Sequence, residues 1–143
     1  MTSILKLVGA YILFFLINSC KQDSSLGDPI TKFKATLTGA QGVPANPSTS
    51  TGVATITYNR EGRTFNVEIS YSSGFIPTGG NIHKGATGTN GPVIKSFTSL
   101  TGTVISANLN EVQVADLFAN LYYINVQSSA YPAGEIRGQM IRQ

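Results

Sequence analysis

Three groups of residues in this chain have the types that do chemistry. His83 is the only histidine and Cys20 the only cysteine. Glu135 and Arg137 stand two apart in Gly134-Glu-Ile-Arg-Gly138. An imidazole serves as a general base or as a metal ligand. A lone cysteine in an exported chain is an intermolecular thiol or a modified residue, and its position decides which. A carboxylate and a guanidinium two apart on a strand share one face. They could act as acid and electrophile. The plainer reading is an ion pair, or a pair of partners for loop backbone, because no nucleophile or base is seen to converge on them. No Gly-x-Ser-x-Gly, P-loop or Cys/His metal spacing occurs. The acids Asp23, Asp28, Glu61, Glu68, Glu111, Asp116 and Glu135 do not recur at spacings that suggest a glycosidase pair. The expectation is a protein that is not an enzyme, with no cofactor and no metal.

Cys20 closes a segment laid out as an export signal. Lys6 supplies the positive end and Leu7 to Ile17 the apolar run. That run is shorter than the about 20 residues needed to cross a bilayer, and it suits a signal peptide. Ile17-Asn-Ser-Cys20 resembles a bacterial lipobox. Residues 1–19 are then a leader, Cys20 is the lipidated N-terminus, and 20–31 form a polar tether. The expected location is the bacterial cell envelope, on the periplasmic side or the cell surface, with the membrane as a partner through the lipid.

The remainder, 32–143, is long enough for one domain. Charged residues make up 12% of the chain, and the net charge of +3 is scattered singly. No Lys/Arg cluster forms a nucleic-acid footprint. With one cysteine no intrachain disulfide exists, so packing alone must hold the fold. Short runs rich in Thr, Val, Ile and Tyr between Gly, Pro and Ser predict an all-β protein.

Lys32–Thr38, Gly52–Tyr58 and Thr64–Tyr71 alternate as strands, with Phe33, Ala35 and Leu37, then Phe65, Val67, Ile69 and Tyr71, facing inward. Asn59–Gly62 is a hairpin-type turn. Gly79-Gly80 predicts a sharp bend before a short extended Asn81–His83. Lys84–Pro92 is a loop, and Val93–Phe97 and Thr101–Ala107 are further strands. Val114, Leu117, Phe118 and Leu121 fall at helical spacing, so one short helix is expected near 111–119. Asn110 and Gln113 would form its capping box. Tyr122, Ile124 and Val126 alternate with Tyr123, Asn125 and Gln127. After a turn at Ser128–Gly134, Glu135–Ile141 resumes as a strand.

Two blocks carry a resemblance. Leu121-Tyr-Tyr-Ile-Asn-Val-Gln-Ser-Ser-Ala-Tyr-Pro-Ala-Gly-Glu-Ile-Arg-Gly-Gln139 resembles the closing signature of the CHRD domain, which is named after chordin and is common in bacterial secreted proteins. Asn81-Ile-His-Lys-Gly-Ala-Thr-Gly-Thr-Asn-Gly-Pro-Val93 is similar to its other signature. The likeness spans roughly Lys32 to Gln143. It implies a Greek-key β-sandwich, immunoglobulin-like or superoxide-dismutase-like, which agrees with the strand count. The family has no settled activity. Its members often carry His-x-His in the first block and a histidine in the penultimate strand, a set that could hold a metal. The matching positions here are Asn81, His83 and Gln127. Two of the three are amides, which bind transition metals poorly, so a polar hydrogen-bonded cluster is expected there.

The functional expectation is a lipid-anchored, non-catalytic binding or structural module, monomeric, with an envelope protein or a glycan as its partner and no nucleic acid. The alternative is a metal-dependent envelope enzyme on a superoxide-dismutase-like sandwich.

Overall fold

The structure, a computed structural model, describes residues 27–143. The leader, Cys20 and most of the tether lie outside the described residues. The strands are β1 (Ile30–Thr38), β2 (Thr51–Asn59), β3 (Thr64–Tyr71), β4 (Pro77–Lys84), β5 (Val93–Phe97), β6 (Gly102–Asn108), β7 (Tyr122–Ser128), β8 (Ile136–Gln139) and β9 (Ile141–Arg142). One helix, α1 (Glu111–Phe118), lies between β6 and β7. The fold is all-β with one short helix, as the sequence predicts.

The strands form one antiparallel sheet in the order β5-β4-β7-β8-β1-β2-β3-β6, with β9 also on β1. The sandwich expectation called for two separate sheets, and here they are joined. The join is a seam at β1. β8 touches β1 through the single pair Thr38↔Arg137, and β9 continues with Phe33↔Arg142 and Lys34↔Ile141. Met140 makes the transfer. Its N–H donates to the Tyr122 carbonyl at 2.9 Å, and its side chain is fully buried. The uninterrupted strand expected over Glu135–Ile141 is therefore two short strands, because the chain changes partner from β7 to β1.

The two outermost strands, β5 and β6, are consecutive in the chain. Phe97 and Gly102 stand at most roughly 18 Å apart at about 3.3–3.6 Å per residue. The sheet must therefore curl until its edges approach, giving a nearly closed, barrel-like form. Its interior is one apolar cluster fed by both halves, including Phe33, Leu37, Ile56, Ile124, Val126 and Ile136. The alternation predicted for β1 and β7 supplies Phe33, Leu37, Ile124 and Val126, and that predicted for β3 adds Phe65, Val67 and Ile69 to the same cluster.

α1 is capped as expected. Asn110 Oδ1 accepts from Gln113 N–H at 2.9 Å, and Gln113 Oε1 accepts from Asn110 N–H at 3.0 Å. The helix buries Leu117 and sets Phe118 edge-on against Phe33 and Tyr58, at 5.5 and 5.7 Å between ring centroids. It thereby covers apolar residues of β1 and β2.

β4 departs from expectation. Gly79-Gly80 does not bend the chain but lies within the strand, opposite Gln127 and Val126. Gly80 faces inward, and a Cβ there would run into the Phe97 ring. The glycine provides a seat for an aromatic ring, and the strand extends from Pro77 to Lys84 instead of only Asn81–His83.

Candidate functional site

The outer face of β4, β7 and β8 carries Asn81, His83, Tyr123, Asn125, Gln127, Arg137 and Gln139. Period-two alternation points these side chains away from the core. Yet Glu135, Arg137 and Gln139 are only 8, 4 and 7% exposed. Two loops roof this face, residues 39–50 and residues 85–92, and the outward side chains hold them down.

Glu135 holds the first loop. Its carboxylate accepts from Ser48 Oγ at 2.6 Å, from Ser50 Oγ at 2.7 Å, and from Ser128 Oγ in a short contact. Its carbonyl accepts from Asn46 Nδ2 at 2.9 Å. Burial pushes the Glu135 carboxyl up, but the hydroxyls of Ser128, Ser48 and Ser50 outweigh it and hold it below its ordinary value. The expected ion pair with Arg137 does not form. The only ion pairs among the described residues are Arg63–Glu111 and Lys84–Asp116. Each of the two charges instead grips a different loop: Arg137 meets loop backbone, as the other reading had it, whereas the Glu135 carboxylate meets serine hydroxyls and not backbone.

Arg137 holds the second loop. Its Nη2 donates to the Thr89 carbonyl at 2.7 Å, and Gln139 Nε2 donates to the Gly85 carbonyl at 3.0 Å. The guanidinium lies over the Tyr123 ring, 3.7 Å from its centroid. β4 runs on the other side of β7, and from it His83 stacks on Tyr123 at 4.9 Å with the rings 6° from parallel. Burial lowers the Arg137 pKa, and Tyr123 partly offsets this.

Gly91 ties the stack to the loop. Its N–H donates to the Tyr123 hydroxyl at 3.1 Å, and its carbonyl accepts from His83 Nδ1 at 2.9 Å. A Cβ on Gly91 would overlap the Lys84 carbonyl, so only glycine fits this approach. Gly134 is required too. Its φ is +132°, and a Cβ would overlap the Asn125 amide, which donates to the Ala133 carbonyl at 2.9 Å. One exposed hydrogen bond, Asn90 Nδ2 to the Val43 carbonyl at 2.8 Å, latches the two loops together.

Between the loops remains a cleft of about 390 Å³ lined by Asn46, His83, Tyr123, Asn125, Tyr131 and Arg137, among others. His83 Nε2 and Arg137 Nη1 are buried without a hydrogen-bond partner. A larger groove of about 810 Å³ near Gly27, between Tyr58, Arg60, Phe118 and Arg142, includes none of the buried unpartnered side chains.

Of the positions matched to the family's histidines, only His83 belongs to this cleft. Asn81 and His83 are neighbours on the outer face of β4, but the residue opposite His83 is Tyr123. Gln127 lies opposite Gly79, further along β7. No hydrogen bond links Asn81, His83 and Gln127, so the expected cluster is not assembled. Among the described residues no three His, Cys, Asp or Glu side chains gather as a metal would require. Sequence reasoning missed Asn46, Ser48, Ser50 and Ser128; Tyr123 and Tyr131 are legible as strand and turn aromatics that could form a binding patch, and both line the cleft. A signal existed in two loops without a charged residue, 39–50 with Asn46, Ser48 and Ser50 and 85–92 with three glycines, set against a strand segment carrying Glu135, Arg137 and Gln139.

No curated protein and no solved structure matches the chain. The CHRD domain family model matches residues 33–140, from the first core residue of β1 to the Met140 seam, and takes in both loops and the Tyr123 stack. The chain belongs to the CHRD domain family.

Proposed function

We propose that this protein is a non-catalytic binding module of the bacterial cell envelope. A lipid on Cys20 tethers it, and as a monomer it engages an envelope glycan or protein through the Tyr123 cleft. The observation carrying this reading is the roofed polar face. An outward sheet surface is buried by two loops, yet it leaves a cleft whose walls hold buried polar atoms without partners. Buried polar groups are normally satisfied; the Tyr71 and Tyr122 hydroxyls also lack partners, but only His83 and Arg137 line one shared cleft. The non-catalytic reading rests on the same contacts. The Glu135 carboxylate is engaged by three serine hydroxyls, so His83 has no free carboxyl group to work with as an acid–base pair. We read the two halves of the sheet, packed through one core, as a joined form of the Greek-key sandwich that the family resemblance implies. No contact in the cleft favours the metal-enzyme alternative.

Hydrogen exchange on the full chain in detergent, with and without isolated envelope fractions, tests the cleft. Protection should concentrate in residues 39–46, 85–92 and 131–134. Protection that bypasses all three segments with every fraction would remove the cleft as the binding site. The anchor is tested by metabolic labelling with an alkyne fatty acid. Label should vanish in Cys20→Ala, and label retained in that variant would overturn the lipidation.

A further inference from the structure

We infer that the Tyr123 cleft binds a sugar carrying a carboxylate, a hexuronate-type unit, with Arg137 meeting the carboxylate and His83 Nε2 accepting from a ring hydroxyl. This rests on the cleft being the binding site, and it names the ligand's chemistry.

Arg137 is 4% exposed and has no acidic partner. The acid nearest in sequence, Glu135, is occupied by Ser48, Ser50 and Ser128. The Tyr123 ring face offsets part of the buried charge, and the Thr89 carbonyl takes Nη2, but Nη1 stays unpartnered. A buried guanidinium lacking a counter-charge is unfavourable until an anion meets it. Planar carboxylates suit its geometry.

His83 makes the opposite demand. The Gly91 carbonyl can only accept, so Nδ1 carries a proton, and in the tautomer with the single proton there Nε2 presents a lone pair. That buried lone pair has no donor. A carboxylate cannot supply one, whereas a sugar hydroxyl can. One tyrosine thus separates a donor that lacks an anion from an acceptor that lacks a hydroxyl. A hexuronate carries both groups on one ring. The rest of the lining suits a sugar: the amides of Asn46, Asn90 and Asn125 for hydroxyls, and the Tyr131 ring for a C–H face. The volume of about 390 Å³ falls in the range of small-molecule sites, about 300–1,000 Å³. The exposed Asn90–Val43 hydrogen bond joins the two loops that flank the cleft.

The test is amide-shift titration of the full chain in detergent. The probes are galacturonate and glucuronate, their neutral parents galactose and glucose, and a short acidic peptide with a free C-terminus. Uronates should shift Gly91, Tyr123 and Arg137, and the neutral parents should bind about tenfold or more weakly. Ala45→Asp sets a negative charge on the exposed rim. It should weaken uronate binding several-fold relative to Ala45→Asn, which has nearly the same size without the charge, while neutral-sugar binding should be alike in the two variants. Arg137→Gln should abolish the preference for uronate. If that buried variant does not fold, Ala45→Asp carries the charge test alone. Equal binding of neutral parents overturns the carboxylate assignment and leaves the cleft standing. Preference for the peptide overturns the sugar assignment and also leaves it. No shift with any probe, while envelope fractions still protect the loops, overturns this inference alone. Silence in both experiments removes the proposed function with it.

Discussion

Glu135 shows how one buried carboxylate organises a loop and writes a pH dependence into the fold. Its burial opposes the charged form, and three serine hydroxyls more than compensate, so its pKa lies below the ordinary value. A depressed carboxyl contributes stability that is fully present above the unfolded-state value, about 4.3. That contribution is lost as pH falls through the lower folded value. Glu135→Gln keeps the shape and removes the charge that the hydroxyls favour. At pH 7 the variant should be less stable by about 1–3 kcal/mol in urea unfolding. The gap should narrow once the pH drops below about 4, as the wild-type carboxyl takes its proton. A gap of equal size at pH 7 and pH 3 would mean that the negative charge is not what the serines stabilise.

At the scale of elements, the loop over residues 85–92 belongs to the site as much as the strands do. Gly91 passes so close to the end of β4 that a methyl group overlaps the Lys84 backbone. Gly91→Ala should push the loop outward and release both the Tyr123 hydroxyl and His83 Nδ1. The expected loss is about 1–3 kcal/mol, with faster amide exchange across 85–92. Gly62→Ala is the contrast, since a Cβ there meets nothing nearer than 3.6 Å. If both variants behave alike, the loop is not pinned through Gly91. The same region marks the boundary of what the sequence makes legible. Alternation located β1, β3 and β7 with their inward faces, and Asn110 with Gln113 announced α1, because these signals are local. The length of β4 was hidden because Gly79-Gly80 looks like a bend until Phe97 is known to pack on Gly80. The shared outward face of Glu135 and Arg137 was legible, but their partners were not. Those partners arrive from loops 85 to 89 and 48 residues away in the chain. No periodicity encodes which loop will fold over a strand face.

The molecule as a whole depends on the seam where β8 gives way to β9. One half of the sheet, β5-β4-β7-β8, and the other, β1-β2-β3-β6, meet through one pair from β8 and two from β9. Met140 sits between those pairs with its side chain fully buried in the common core. The edge strands β5 and β6 approach without pairing, so closure on that side rests on packing. Removing the Met140 side chain should therefore be costly. Met140→Ala should lose about 2–5 kcal/mol, the usual range for a fully buried methionine. Thermal unfolding would fall by about 2–4 °C for each kcal/mol in a chain of this size. Arg142→Ala, on the same seam, removes an exposed side chain whose guanidinium lies 5.1 Å from the Phe118 ring centroid. It should cost no more than about 1 kcal/mol. Both variants leave the backbone pairs Phe33↔Arg142 and Lys34↔Ile141 in place, so their difference isolates what the buried thioether does. If the two lose equal stability, the halves are held together by the ladder alone and the shared core contributes little across the seam. The larger loss at Met140 would show that one continuous core, entered from both halves, keeps the sheet curled and the Tyr123 cleft in register with its roofing loops.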